Sequence, residues 1–169
     1  MSSYEEDDGI YYNSQTDSIY ITIKKMGDGI SGTIWMSVEL VNYVKNLKIN
    51  KIEYKLKALK IFDSEDDTMD EWKREINIKN VIKINNKLCD YINYPETYFT
   101  TSDNTNIIIY ELGICSLHEF INKYDNKLTE EERLTIVKQM KTAVKFVHDC
   151  GYIHTDIKLD NFILCGLSE

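Results

Sequence analysis

The sequence predicts an α+β fold in two parts: a sheet-rich first half with one helix, then a helical second half. Three observations carry this. Short runs that alternate in hydrophobicity recur up to Glu111, as half-buried strands do. Beyond it, Ser116 with Glu119 and Thr129 with Glu132 form two Ser/Thr-x-x-Glu caps, each opening an apolar stretch. Strands followed by helices, rather than alternating with them, argue for segregated layers.

In chain order, residues 1–17 are acidic and polar and read as a loose arm. Ile19 to Lys25 alternates around Tyr20 and predicts a strand, which Gly27, Gly29 and Gly32 are expected to break. Thr33 to Val38 resumes β-favouring residues, Leu40 to Lys51 is ambiguous, and Ile52 to Phe62 predicts a third strand. Ser64 to Asp67 offers a helix start, with Met69, Trp72 and Ile76 following at helical spacing. Thr97 to Thr101 and Asn106 to Glu111 predict a hairpin around residues 102–105. After the cap at Thr129, Leu134, Val137, Met140, Val144 and Val147 repeat in steps of three and four. That helix is expected to reach about Cys150 and stop at Gly151.

The 169 residues are 43% hydrophobic, enough for a real core. No apolar run reaches the length of a membrane span, and the acidic start lacks the features of a secretory signal. A net charge of -8 argues against nucleic-acid backbone binding, which needs clustered Lys and Arg. Cys89, Cys115, Cys150 and Cys165 form no C-x-x-C pair and fit no zinc module, so reduced thiols in a cytoplasmic protein are expected.

Four groups of residues point to chemistry. Gly27-Asp28-Gly29-Ile30-Ser31-Gly32 is G-x-G-x-x-G, a weak signal alone. A dinucleotide site needs a helix directly after it, whereas Thr33 to Val38 reads as a strand. A plain hairpin turn is the simpler alternative. Lys60 ends Ala58-Leu59-Lys60 on the third strand. Glu75 lies on the inward side of the predicted helix with Trp72 and Ile76, a costly place for a carboxylate unless it is paired, and Lys60 is the partner expected. His154-Thr155-Asp156-Ile157-Lys158-Leu159-Asp160-Asn161 follows the long helix and leads into Phe162-Ile163-Leu164. An Asp five residues before an Asn, with a Lys between, can accept a hydroxyl proton, neutralise a phosphoryl group and offer an amide oxygen to Mg²⁺.

Taken in order from about Tyr20 to Leu164, these residues resemble the eukaryotic protein kinase family. The resemblance implies a complete N-lobe, with a twisted antiparallel sheet and one helix, and a partial helical C-lobe. Residues 1–18 would be the arm, 19–113 the N-lobe and hinge, and 114–169 the partial C-lobe. It implies ATP and Mg²⁺ as cofactors and a protein Ser/Thr hydroxyl as acceptor. Gly27, Gly29 and Gly32 would cover the phosphates. Met26, Ile34, Ala58 and Ile163 would enclose the adenine, and the Glu111 and Leu112 backbones would meet it, with Tyr110 in the gatekeeper position. Lys60 and Glu75 would form the ion pair. Asp156 would accept the proton beside Lys158, and Asn161 would bind the metal.

The subfamily is less sharply marked. His154-Thr155-Asp156 and Thr33-Ile34-Trp35 resemble the SR-protein and LAMMER kinases, which implies Ser/Arg-rich substrates. Asp160 to Leu164 and Cys115-Ser116-Leu117 resemble casein kinase 1 instead. No Asp-Phe-Gly or Ala-Pro-Glu follows Asn161. The expectation is therefore a truncated, catalytically impaired form, with an apolar face on the long helix that a protein partner could cover. Completion by another chain, a pseudokinase-like nucleotide- or protein-binding module, and an unrelated α+β binding domain are the alternatives.

Overall fold

The computed structural model describes residues 9–29, 31–41, 54–62 and 66–166. The expectations placed on residues 1–8, Ile30, 42–53, 63–65 and 167–169 lie outside the described residues. The chain divides into two compact units: Met1–Ile76 with Pro95–Leu112, and Asn77–Tyr94 with Gly113–Glu169.

The first unit holds a six-stranded antiparallel sheet of β1 (Ile10–Asn13), β2 (Ser18–Gly29), β3 (Gly32–Val41), β4 (Tyr54–Phe62), β5 (Thr97–Thr100) and β6 (Asn106–Glu111). Their spatial order is β1-β2-β3-β4-β6-β5. Helix α1 (Asp66–Ile76) follows β4. Period-two alternation sorts the side chains onto two faces. Leu59 on β4 and Ile107 and Ile109 on β6 are buried on one face with Tyr20 and Phe99, whose rings stack at 5.7 Å. Trp35, Tyr11 and Ile61 pack against them.

Two features depart from the sequence reading. Residues 10–13, placed in the loose arm, form a strand. Thr22 fastens it: its N–H donates to the Gly9 carbonyl at 3.0 Å, and its Oγ1 accepts from the Gly9 N–H at 2.8 Å. The glycines do not break β2, which runs through Gly27 to Gly29 because Ile34, Thr33 and Gly32 pair with Gly27, Asp28 and Gly29. The irregularities are two register shifts, between Thr22 and Lys24 and between Lys25 and Gly27, which take up Ile23 and Met26.

The second unit contains α2 (Ile78–Val81), the two-residue strands β7 (Cys115–Ser116) and β8 (Ile163–Leu164), α3 (Leu117–Tyr124) and α4 (Glu130–Asp149). Both helices with caps legible in the sequence start where those caps predict. Glu119 N–H donates to Ser116 Oγ at 3.1 Å, and Ser116 N–H donates back to Glu119 Oε2 at 2.9 Å. Thr129 and Glu132 make the same reciprocal box. α4 ends at the cap residue Cys150, and Gly151 follows at φ +84°, a left-handed conformation suited to glycine. On α4 Ala143 is buried, whereas Leu134 and Val137 are exposed. No helix among the described residues is long and apolar enough to cross a membrane.

Candidate active site

The second face of the sheet collects the residues of interest in the first unit. Strand register sets which side chains share a row. Gly27 pairs with Ile34, Ile34 with Lys60, Lys60 with Ile108, and Ile108 with Tyr98. The adjacent row runs from Lys24 through Met36 and Ala58 to Tyr110. On the other side, Gly29, Gly32 and Phe62 line up. Ile34, Ala58 and Lys60 thus occupy one surface with both rows that carry the three glycines. Ala58 is buried and Ile34 is exposed.

Helix α1 meets this face. Trp72 packs edge-on against Tyr98, with ring centroids 5.8 Å apart. One turn on, Glu75 Oε2 accepts from Lys60 Nζ at 2.5 Å. The side chains of Lys60 and Glu75 keep only 15% and 24% of their exposure, so the pair is largely desolvated. Lys60 Nζ also sits 4.7 Å above the centre of the Phe62 ring, a cation–π contact. The other carboxylate oxygen, Oε1, accepts from the Tyr110 hydroxyl. Burial, then the adjacent Glu75 charge, pushes the Tyr110 phenol far above its ordinary range, so it stays a protonated donor.

The three glycines are not equivalent. Gly32 has φ +152°, and a Cβ there would lie 2.0 Å from the Ile61 carbonyl oxygen. It permits the close approach of β3 to β4. A Cβ on Gly27 would meet nothing within 4 Å. Gly27 therefore leaves open space at the head of the row that holds Lys60.

In the second unit, the segment after α4 forms a compact polar turn. Asn161 Nδ2 donates to the Asp156 carbonyl at 2.7 Å and to its Oδ2 at 2.9 Å. Lys158 Nζ lies 2.8 Å from the same Oδ2. His154 Nδ1 accepts from the Asp156 N–H at 3.2 Å. The hydrogen bonds from Lys158 and Asn161 hold the Asp156 carboxyl below the usual carboxylate range, and Asp156 in turn raises the Lys158 ammonium. Asp156 and Lys158 are both exposed. Asn161 closes a 3-10 turn over Leu159–Asn161, its N–H donating to the Lys158 carbonyl at 3.0 Å.

Strand β8 anchors this turn. Leu117 N–H donates to the Phe162 carbonyl at 2.7 Å, and Ile114 N–H to the Leu164 carbonyl at 2.6 Å. Gly113 makes room for the pairing, since a Cβ there would lie 1.9 Å from Ile163 Cγ2. Ile163 itself is exposed.

The residues expected from the sequence thus fall into two sets, one in each unit. Gly27, Ile34, Ala58, Lys60 and Glu75 share one face of the first. Met26 stands at the second register shift, exposed; Glu111 closes β6 opposite Lys57; Leu112 is the last residue of that unit. Asp156, Lys158 and Asn161 meet in the second, which also carries Ile163. The sequence reading missed the hydroxyl bond from Tyr110 to Glu75 and the Phe62 ring under Lys60. Register was the available signal, since Tyr110 pairs with Ala58, two residues from Lys60 on the same face.

Fit to ATP and Mg²⁺ can be judged within each unit. An ammonium on an open, glycine-headed row suits phosphate oxygens. The Asn161 amide nitrogen is committed to Asp156, so its carbonyl oxygen is the atom left for a cation. That is a hard oxygen donor, the type Mg²⁺ takes. Among the described residues no cluster of three or more His, Cys, Asp or Glu could hold a metal alone. The ligand set is therefore partial, as for an ion that substrate phosphates also bind.

Residues 20–167 match the protein kinase domain family. The chain is 28% identical, over all of its length, to a protein of Acanthamoeba polyphaga mimivirus that carries a serine/threonine-protein kinase name. It is 26% identical over 86% of its length to the serine/threonine-protein kinase pakC of Dictyostelium discoideum. It is 26% identical over 82% of its length to the Aurora kinase of Encephalitozoon cuniculi. It spans 30%, 28% and 47% of these relatives, less than half of each. With the match extending from β2 past the Asp156 turn, the chain belongs to the protein kinase domain family.

Proposed function

We propose that this chain is the nucleotide-binding and hydroxyl-activating portion of a serine/threonine protein kinase, transferring the ATP γ-phosphoryl to a Ser or Thr hydroxyl of a protein. The observation that carries this is the Asp156 turn: an exposed carboxylate, held ionised by Lys158 and Asn161, where a substrate hydroxyl can reach it.

Each residue has a role that its chemistry supports. Lys60, held by Glu75, presents its ammonium to the α- and β-phosphates. Gly27 lets phosphate approach the β2 backbone, and Gly29 and Gly32 keep the hairpin tight. Met26, Ile34 and Ala58 offer apolar surface to the adenine, with the Glu111 and Leu112 backbones in the same unit; the family resemblance alone adds Ile163. A lowered pKa makes Asp156 a weak base. It therefore orients the hydroxyl and takes its proton once phosphoryl transfer has made that proton acidic. Lys158, bonded to Asp156, supplies the positive charge that would neutralise the transferred group. Asn161 Oδ1 is the atom that would hold Mg²⁺, and bound Mg²⁺ supplies positive charge to the phosphate oxygens.

Narrower readings rest on less. A preference for Ser/Arg-rich substrates, as in SR-protein or LAMMER kinases, depends on Thr155 and the Thr33-Ile34-Trp35 step, and the relatives carry other kinase names. A cytoplasmic location agrees with four free cysteines.

The test is a thermal shift with ATP and Mg²⁺. The expected result is a rise in Tm that Lys60→Ala abolishes; a rise unchanged in Lys60→Ala overturns the phosphate assignment. Transfer of ³²P to casein or to a Ser/Arg-rich peptide separates the second reading, a nucleotide- or protein-binding module without turnover. Incorporation that vanishes in Asp156→Ala favours the kinase, and nucleotide binding with no incorporation favours the module.

A further inference from the structure

We propose that Tyr110 is a positioning residue that latches Glu75 onto Lys60, so that the ion pair is preassembled before any nucleotide arrives. Two oxygens of one carboxylate serve two strands. Oε2 accepts from Lys60 on β4 and Oε1 accepts from the Tyr110 hydroxyl on β6. Because β4 and β6 are hydrogen-bonded neighbours with Ala58 opposite Tyr110, both donors are fixed by the same sheet. The sheet fixes the backbones of both donors, and the acceptor rides on α1 outside it. A carboxylate held by one flexible lysine can swing, whereas one also held by a phenol on a rigid ring cannot without leaving a largely buried hydroxyl unpaired.

The sequence offers a matched control. Lys57 lies on the same strand and pairs with Glu96, and among the described residues no tyrosine hydroxyl bonds that carboxylate. The bond from Tyr110 therefore distinguishes the Lys60 pair from an ordinary sheet ion pair. Burial and the Glu75 charge keep the phenol protonated, so it is a donor at neutral pH.

The inference takes its functional meaning from the phosphate-anchoring reading of Lys60, but it can be tested without nucleotide. The experiment is competitive acylation of the nucleotide-free chain with an N-hydroxysuccinimide ester, read by mass spectrometry as the Lys60 rate divided by the Lys57 rate. In Tyr110→Phe, which keeps the ring, the ratio is expected to rise about three- to tenfold as Glu75 leaves Lys60. An unchanged or lower ratio overturns the proposal. Glu75→Gln guards against a general loosening: if Tyr110 acts through Glu75, adding Tyr110→Phe to Glu75→Gln leaves the ratio unchanged. A further rise in the double variant overturns the proposal too. Repeating the labelling with ATP and Mg²⁺ reads the phosphate role separately. Protection of Lys60 by ATP in the wild type, with no effect of Tyr110→Phe, would sink the latch and keep the phosphate site. The reverse pattern would keep the latch and sink the phosphate site.

Discussion

Lys60 and Glu75 are joined at 2.5 Å with little solvent around either, yet their remaining neighbours differ. Removing Lys60 leaves Glu75 with the Tyr110 donor. Removing Glu75 leaves Lys60 with only the Phe62 ring described and orphans the Tyr110 hydroxyl. Glu75→Ala is therefore expected to cost more than Lys60→Met, about 2–3 kcal/mol against about 1 kcal/mol, because it strands the desolvated ammonium and the phenol together, whereas the carboxylate left by Lys60→Met keeps the Tyr110 donor. Urea unfolding of the two variants checks the order.

The glycines separate structure from binding. Gly32→Ala forces a Cβ against the Ile61 carbonyl and is expected to destabilise the sheet by about 3 kcal/mol or more. Gly27→Ala meets open space and should change stability by less than about 1 kcal/mol. ATP affinity, measured by titration, should fall in Gly27→Ala if backbone approach to phosphate matters.

Asp156 titrates below the ordinary carboxylate range because Lys158 and Asn161 donate to it. A group whose folded pKa is lowered adds stability above its unfolded pKa and loses it as pH falls through the lowered value. Carboxyl NMR titration should find the Asp156 midpoint moving up in Lys158→Ala and, by a smaller step, in Asn161→Ala. An Asp156 midpoint unmoved by Lys158→Ala would contradict the contact.

Tyr110 gives the opposite sign. Its folded pKa is raised, so its contribution is intact below the ordinary phenol value and is lost as pH rises beyond it. Above about pH 10, wild-type stability should fall more steeply than that of Tyr110→Phe, by at most about 1.4 kcal/mol per pH unit. Tyr20, also raised by burial and by Glu39, acts equally in both and cancels from the difference. Chemical denaturation at pH 9 to 11 measures it.

The cap on α4 is local and should behave additively. Thr129→Ala removes the acceptor for the Glu132 N–H and is expected to cost about 1 kcal/mol, while Thr129→Ser retains most of it. Far-UV circular dichroism during urea unfolding reports the change.

How far these elements could be read from the residues depended on the range of the interactions that make them. The boxes at Ser116 and Thr129 close within one helical turn, so three-residue spacing revealed them. The hairpin at 97–111 announced itself by alternation. Strand β1 carries the strand-favouring run Ile10-Tyr11-Tyr12, but it is short and follows an acidic stretch, and what fixes Gly9 is Thr22, thirteen residues away. Glycine punctuation misled at Gly27 to Gly29: backbone pairing to β3 outweighs the low strand propensity of glycine. At the candidate site, the Asp156-x-Lys158-x-x-Asn161 spacing contains the side-chain bonds to the Asp156 carboxylate. The contact between Lys60 and Glu75 spans fifteen residues and was legible through the family resemblance together with the inward side of α1. The bond from Tyr110 to Glu75 spans thirty-five, and no local pattern encodes it.

The pairing of β7 with β8 sets a timetable for synthesis. Ser116 emerges from the ribosome well before its partner Ile163, while the sheet of the first unit has all of its strands by Glu111. At about 5–20 residues per second, seconds pass between the two events. During that interval the sheet and the Lys60 pair can assemble, but the Asp156 turn has nothing to brace it. The Asp156 turn thus gains its brace after the sheet is complete, and a nick before residue 163 would separate that turn from the strand that pairs with Ser116.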